Sequence, residues 1–241
     1  MLAAIYVEFL KLKRSLALLL CVGAPSCVGA FAGMFLLVND KPRSWAEFLQ
    51  EGVAVWAYFM LPLTITALGI LLAQMEHVPK MWNHLLVLPV ARGKLFIAKT
   101  FVMITLLVMM QVLIYAMLFL TGTAGEILLP GVQLTGSFPV YRLGIVIAAM
   151  TAGACLLTVV QLWAALRFKS FVPPLMVGIV GTFIALVVTA SREGIYAPWL
   201  LQIYALSWPD AQAKEAIAIA TLGGIVAAII MTFDLSRRET H

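Results

Sequence analysis

The chain has 241 residues, 63% of them hydrophobic and only 11% charged, with a formal net charge of +5. A water-soluble domain carries about 25% charged residues, so this composition excludes an ordinary soluble enzyme. The basic balance then belongs to a membrane surface rather than to a soluble nucleic-acid-binding face.

Six stretches contain no Asp, Glu, Lys or Arg: residues 15–39, 52–74, 100–125, 143–166, 170–191 and 216–233. Each holds about the 18 to 20 residues that a helix needs to cross a hydrocarbon core of roughly 30 Å. In lipid the backbone must satisfy its own hydrogen bonds, which leaves helices for runs this apolar. The expected fold is therefore all-α and integral to the membrane, a single transmembrane domain over residues 1–241. Its six transmembrane helices are expected over residues 15–38, 53–75, 98–122, 143–166, 171–190 and 216–234. Little chain is left over, so chemistry that needs a folded soluble domain has to come from another chain.

In chain order, residues 1–14 come first and are amphipathic. Leu2, Ile5, Phe9 and Leu12 recur at spacings of three and four, with Glu8, Lys11 and Arg14 on the other side. Lys13 falls inside the apolar arc, where its stem can snorkel to headgroups. The pattern predicts an N-terminal interfacial helix on the inner membrane surface, or else a cytoplasmic extension of the first span. A cleavable signal peptide is not expected, because the following span is too long for a signal core.

Between spans two and three lies EHVPKMWNHLLVLPVARGKLFIAK, from Glu76 to Lys99. Pro79 suits a first helical position. Val78, Met81, Trp82, Leu85 and Leu86 form an apolar stripe, while Lys80, Asn83 and His84 face away. Leu88 precedes Pro89 and is pushed out of helical geometry, so the helix should stop there. A helix of two to three turns is marginal alone in water and needs a surface, either headgroups or another protein. Glu76, His77 and His84 could suggest a metal, but no further ligand lies nearby in sequence, and no metal is expected.

The later spans carry Gln111, Tyr115, Thr151, Thr158 and Gln161 as their polar groups. Such side chains either stitch helices together or line an adaptable path for a substrate. None is ionisable in the way that an ion-coupled transporter needs, so the driving energy is expected from outside the spans. Cys21, Cys27 and Cys155 sit inside spans and read as small apolar packing residues. Arg167, Phe168 and Lys169 make a short inner loop, and Pro173-Pro174 opens span five. The last outer connection, residues 191–215, is long yet apolar. Trp199, Leu200, Ile203 and Leu206 keep helical spacing between Pro198 and Pro209, which predicts a short helix dipping into the outer leaflet or a loop held by aromatic rings.

Orientation follows from the positive residues of alternate connections. One side holds Lys11, Lys13, Arg14, Lys80, Arg92, Lys94, Lys99, Arg167, Lys169, Arg237 and Arg238, which is eleven, and the other holds Lys41, Arg43, Arg142, Arg192 and Lys214, which is five. Positive residues stay on the cytoplasmic side, so both termini are expected to be cytoplasmic. Trp45, Trp56, Tyr141, Tyr196, Trp199, Tyr204 and Trp208 then fall near the outer interface, as an aromatic belt. The chain has no HExxH, GxSxG or GxxxxGK[ST] motif and no pair of intramembrane aspartates, so no catalytic site and no cofactor is expected on it.

The amphipathic start, the Glu after span two, the short helix and the string LLVLPVARGKLFIAK resemble permease subunits of type-2 ABC exporters, and among them the small permeases of bacteriocin- and lantibiotic-immunity transporters. The pattern at this place is Leu88, Pro89, Arg92 and Lys99, and Pro173-Pro174 and the segment before span six are also similar. The resemblance implies that residues 78–86 form a coupling helix docking into a separate ATP-binding subunit. Val78, Met81, Trp82, Leu85 and Leu86 would make that contact, with Glu76 and Arg92 in the supporting polar network. ATP and Mg would sit on the partner ATPase. It also implies a multi-pass protein of the bacterial cytoplasmic (inner) membrane, two permease subunits per complex as a homodimer or heterodimer, and export of an amphipathic or hydrophobic substrate such as an antimicrobial peptide. A non-pumping immunity or scaffold protein that binds its target, and a lipid or drug efflux permease, remain open.

Overall fold

The computed structural model describes residues 2–38, 43–77, 92–129, 131–189 and 191–237. Helix α1, Leu2–Leu12, ends where Arg14 adopts a φ of 63°, and the chain turns there into α2, Leu16–Val38. The helix is thus broken between Leu12 and Leu16. A two-residue strand β1, Arg43–Ser44, leads to α3, Trp45–Val55. Ser44 caps α3 in both directions: its hydroxyl accepts from the Glu47 backbone N–H (3.2 Å), and the Glu47 carboxylate accepts from the Ser44 N–H (2.9 Å).

The helix continues through a π-helical turn, Trp56–Met60, into α4, Leu61–His77. Pro62 has no N–H to offer the preceding turn, which explains why the widening sits just before it. Thr64 and Thr66 donate to the carbonyls of Met60 and Pro62 and steady the joint. Helix α5, Arg92–Leu128, has 37 residues and is about 55 Å long at 1.5 Å per residue, so it extends well beyond a bilayer core. A second strand, β2 (Leu134–Thr135), pairs with β1 in parallel. Helices α6, Val140–Gly153, and α7, Cys155–Arg167, form a pair bent by 43°. Then come α8, Val172–Val188, with its prolines in the first turn, a 3-10 turn at Arg192–Tyr196, α9 at Leu201–Tyr204, a further 3-10 turn at Ala205–Ser207, and α10, Ala211–Arg237.

The fold is all-α and multi-pass. Each of the six apolar stretches falls on helix, but the crossing lengths differ from the expectation. Among the described residues four helical stretches are long and apolar enough to cross, residues 16–38, 45–77, 93–128 and 211–237, and the bent pair α6–α7 makes a fifth if it is one span. Helix α8 has only 17 residues, short of the roughly 20 a crossing takes. The expected straight fourth helix is broken because Gly153 lies against the backbone of the last outer connection. A Cβ on Gly153 would stand 2.8 Å from Gln202 Cα and 2.9 Å from the Leu201 carbonyl.

The core lies where α2 packs on α5, and where α7 packs on α4 and α10. Leu61, Ile65 and Leu68 from one side meet Leu107, Met110 and Ile114 from the other, all fully buried. Leu222, Ile225 and Ile229 on α10, with Phe183 and Ile184 on α8, are exposed. Such a continuous apolar exterior suits lipid, not water. The aromatic belt is corrected in part. Trp45 is buried in a ring cluster with Phe48, Phe119 and Phe138, at centroid distances from 5.3 to 6.0 Å, and Trp56 is wholly enclosed. Tyr141 and Tyr196 are exposed as a belt requires. Packing outcompeted the interface for the two tryptophans: facing rings on α5 and near α6 offered Trp45 a drier site, and Gln111 offered the Trp56 indole a buried acceptor.

Candidate functional site

The strongest constellation sits where α1, the end of α4 and the start of α5 meet. Lys99 Nζ lies 2.7 Å from Glu8 Oε2 and 2.8 Å from Glu76 Oε1. Lys11 Nζ lies 2.5 Å from Glu8 Oε1 and 2.9 Å from the same Glu76 oxygen. The quartet is electrically balanced, with two carboxylates and two ammonium groups. It is also dry: the side chains of Lys99 and Glu76 are each 2% exposed and that of Glu8 is 6% exposed.

Burial pushes the Glu8 carboxyl up, but the attraction of Lys99 and Lys11 outweighs it and holds the group below its ordinary range. Burial likewise pushes Lys11 down, and Glu76 and Glu8 more than reverse it, so its ammonium is held above the ordinary lysine range. Both groups are therefore charged near neutrality. All four charged groups of the cluster are engaged with one another. The cluster fastens α1 to both helices that flank residues 78–91.

Glu8 and Lys11, which the sequence places opposite the apolar stripe, are turned into the protein, and so is most of that stripe: Leu12 is buried and Ile5 and Phe9 are half-buried, while Leu2, Tyr6, Val7 and Leu10 face outward. The physical reason is the pair of complementary charges waiting on α4 and α5. A Glu and a Lys three residues apart can meet a Lys and a Glu from two other helices without leaving a charge alone.

Of the expected coupling residues, Glu76 is in this cluster. Val78, Met81, Trp82, Leu85 and Leu86 lie outside the described residues, and Arg92 is the first residue of α5. Two further contacts gather at the same end. Gln74 Nε2 donates to the Lys169 carbonyl at 3.3 Å, and Asp234 on α10 accepts from both the Trp163 indole and Arg167, at 2.9 Å each. The short loop after α7 is thus tied to α4, and α7 is tied to α10.

The expected path residues are interior to this one chain. Gln111 is fully buried and its Oε1 accepts from the Trp56 indole at 2.8 Å. Tyr115 is buried one turn along, and Thr158 donates to the Ala154 carbonyl at 2.8 Å. Gln161, 1% exposed, has both amide atoms buried without a hydrogen bond, as has the Thr151 hydroxyl. Gln202, which the sequence reading passed over, belongs with them. It donates to the Ala57 carbonyl at 3.2 Å and to the Trp199 carbonyl at 2.5 Å. Gln111 and Gln202 thereby both bond to the first turn of the π-helical segment. The connection 191–215 is packed onto the body of the protein by this bond and by buried Leu200, Leu201 and Ala205.

Glu8, Lys11, Lys99 and Asp234 were also missed as partners. Their signal was present as charges bordering apolar runs, but the sequence does not say which of them meet. A family model described as ABC-2 family transporter protein matches residues 4–185, which takes in all four residues of the ion cluster. No curated protein and no solved structure matches the chain.

Proposed function

The chain belongs to the ABC-2 transporter family, as a permease of the type-2 class, and from that premise we propose that it is the membrane half of an exporter driven by a separate ATP-binding subunit. It crosses the membrane six times with both termini cytoplasmic, and α1 lies along the inner surface. The excess of positive residues on the α1 side supports that orientation. So does the bond between Gln74 and Lys169, which puts the ends of α4 and α7 on one side.

The observation that carries the proposal is the buried quartet of Glu8, Lys11, Glu76 and Lys99. It fastens together the helices on either side of residues 78–91, the segment that in this reading docks on the ATPase through Val78, Met81, Trp82, Leu85 and Leu86, with Arg92 in support. A displacement applied there reaches α4 and α5 as a rigid-body movement, because the charges at their base are fixed. Two permease subunits and two ATPase subunits make the working complex, since one chain of this size encloses no broad path. The substrate is amphipathic or hydrophobic, with an antimicrobial peptide as the first candidate; Gln111, Tyr115, Thr151, Thr158 and Gln161 would line its way if the helices part.

The test is co-purification of the full chain with an ATP-hydrolysing partner, followed by transport in vesicles. Trp82→Ala or Arg92→Ala should leave insertion intact and uncouple hydrolysis from transport, because a buried interface aromatic contributes about 2 kcal/mol or more. Normal coupling in both variants would leave the segment as a surface helix. Sensitivity of a deletion strain to membrane-active peptides, with lipophilic drugs alongside, reads the substrate: raised drug sensitivity with unchanged peptide sensitivity moves the assignment to drug efflux.

A further inference from the structure

A cleft of about 350 Å³ opens between α2 and α3. Val28, Phe31 and Phe35 form one wall, Phe48, Ala54 and Val55 the other. Phe31 and Phe35 meet edge to face at 5.1 Å and are about half exposed. At the mouth stand Arg43 and Glu51, whose Nη1 and Oε2 are 2.5 Å apart, the only charged groups lining the cleft among the described residues.

The depth of the cleft is informative. Along α2 the lining runs from Val28 to Phe35, about 10 Å at 1.5 Å per residue, within the roughly 15 Å of half a hydrocarbon core. The cleft is apolar along that length and ends in a charge pair. Its volume holds about a dozen groups the size of a water or a methylene, at roughly 30 Å³ each. That is one acyl chain, and far too little for a helix of about 10 Å diameter.

We infer that this cleft binds a single phospholipid with a phosphate and a primary ammonium in its head, the chain lying between the phenylalanines and the head on Arg43 and Glu51. The existing ion pair uses one guanidinium nitrogen and one carboxylate oxygen. The other guanidinium N–H groups can donate to phosphate, and Glu51 Oε1 can accept from the ammonium. A head without an ammonium would bring its phosphate to Arg43 but give the Glu51 carboxylate no new partner, leaving one more negative than positive charge among the described residues. The inference rests on the chain being embedded in a bilayer and not on transport or its direction.

The test uses the full chain reconstituted in nanodiscs of mixed phosphatidylethanolamine and phosphatidylglycerol, released for native mass spectrometry. The wild type should retain one phosphatidylethanolamine. Arg43→Gln and Glu51→Gln should each reduce that retention about tenfold, the loss of one charge-assisted contact. Ala54→Trp should fill the cleft and abolish it, and Ile225→Ala, on the lipid-facing side of α10, should leave it unchanged. Equal retention of the two lipids by the wild type, or a bound lipid that survives Ala54→Trp, overturns the assignment. Should Ala54→Trp lose its helical circular dichroism, the wild-type comparison decides alone.

Discussion

Replacing Lys99 by Met deletes the ammonium that bridges Glu8 and Glu76 while keeping most of the side-chain volume. In the native quartet two positive and two negative groups balance, and Lys99 is the drier lysine, at 2% exposed against 22% for the Lys11 side chain. After Lys99→Met, two buried carboxylates share one lysine, leaving a net negative charge with little water to solvate it. Breaking a buried pair in this way costs about 3–5 kcal/mol, whereas an exposed pair is worth about 0–1 kcal/mol. Lys11→Met should cost less, because water reaches that position. The decisive comparison is Lys99→Met with Glu8→Gln, which restores neutrality as one Lys11–Glu76 pair and should recover much of the loss. Equilibrium unfolding in mixed micelles, followed by tryptophan fluorescence, measures each variant and the coupling between the two sites. If Lys99→Met lies within about 1 kcal/mol of wild type, or the double variant is no more stable than the single, the cluster is not the clamp described here.

Acid should loosen the same junction. The Glu8 carboxyl is held below its ordinary 4.5 in the folded protein, so its contribution is complete above that value and is lost as pH falls through the folded value, and Glu8→Gln should flatten the acid limb of the stability profile. Lys11 is held above its ordinary 10.5, so its contribution persists below that value and fades as pH rises through the folded value, a limb that Lys11→Met should remove. Trp56→Phe deletes the indole N–H that Gln111 accepts and leaves a buried amide oxygen unpaired, a cost of about 1–3 kcal/mol in the same unfolding assay. Gly153→Val should push on the Gln202 and Leu201 backbone, which cannot step aside as a side chain can, and cost about 1–3 kcal/mol. An unchanged midpoint would mean that the outer connection is loosely held.

The helices were legible because charge exclusion is a strong signal: a run without Asp, Glu, Lys or Arg says where the chain meets lipid, whatever its neighbours do. Their breaks were less so. The bend at Ala154 is set by a backbone that arrives from residues 201–202, and the π-helical turn by the local effect of Pro62 together with Gln111 and Gln202. Only the proline is visible nearby in sequence. Trp45 and Trp56 show the same limit. Position along a span places a tryptophan near an interface, but a ring cluster on facing helices can draw Trp45 inward and a buried amide acceptor can draw Trp56 inward.

Helix α1 carries the point into the candidate site. A period of three and four locates a stripe of Leu and Phe and a stripe of Glu and Lys, but it does not say which stripe meets the protein. In water the apolar stripe would turn inward. At a membrane surface the outside also accepts apolar side chains, so Leu2, Tyr6, Val7 and Leu10 can stay exposed while Leu12 is buried and Phe9 half-buried beside the charges, and the choice of face passes to the charges. Glu8 and Lys11 gain most by meeting Lys99 and Glu76, whose own burial would be costly without them. Two marginal arrangements, a lone amphipathic helix and a buried Lys–Glu pair, therefore stabilise each other. That reciprocity requires three helices to arrive together, which is why Glu76 could be singled out from the sequence while Glu8, Lys11 and Lys99 could not be joined to it.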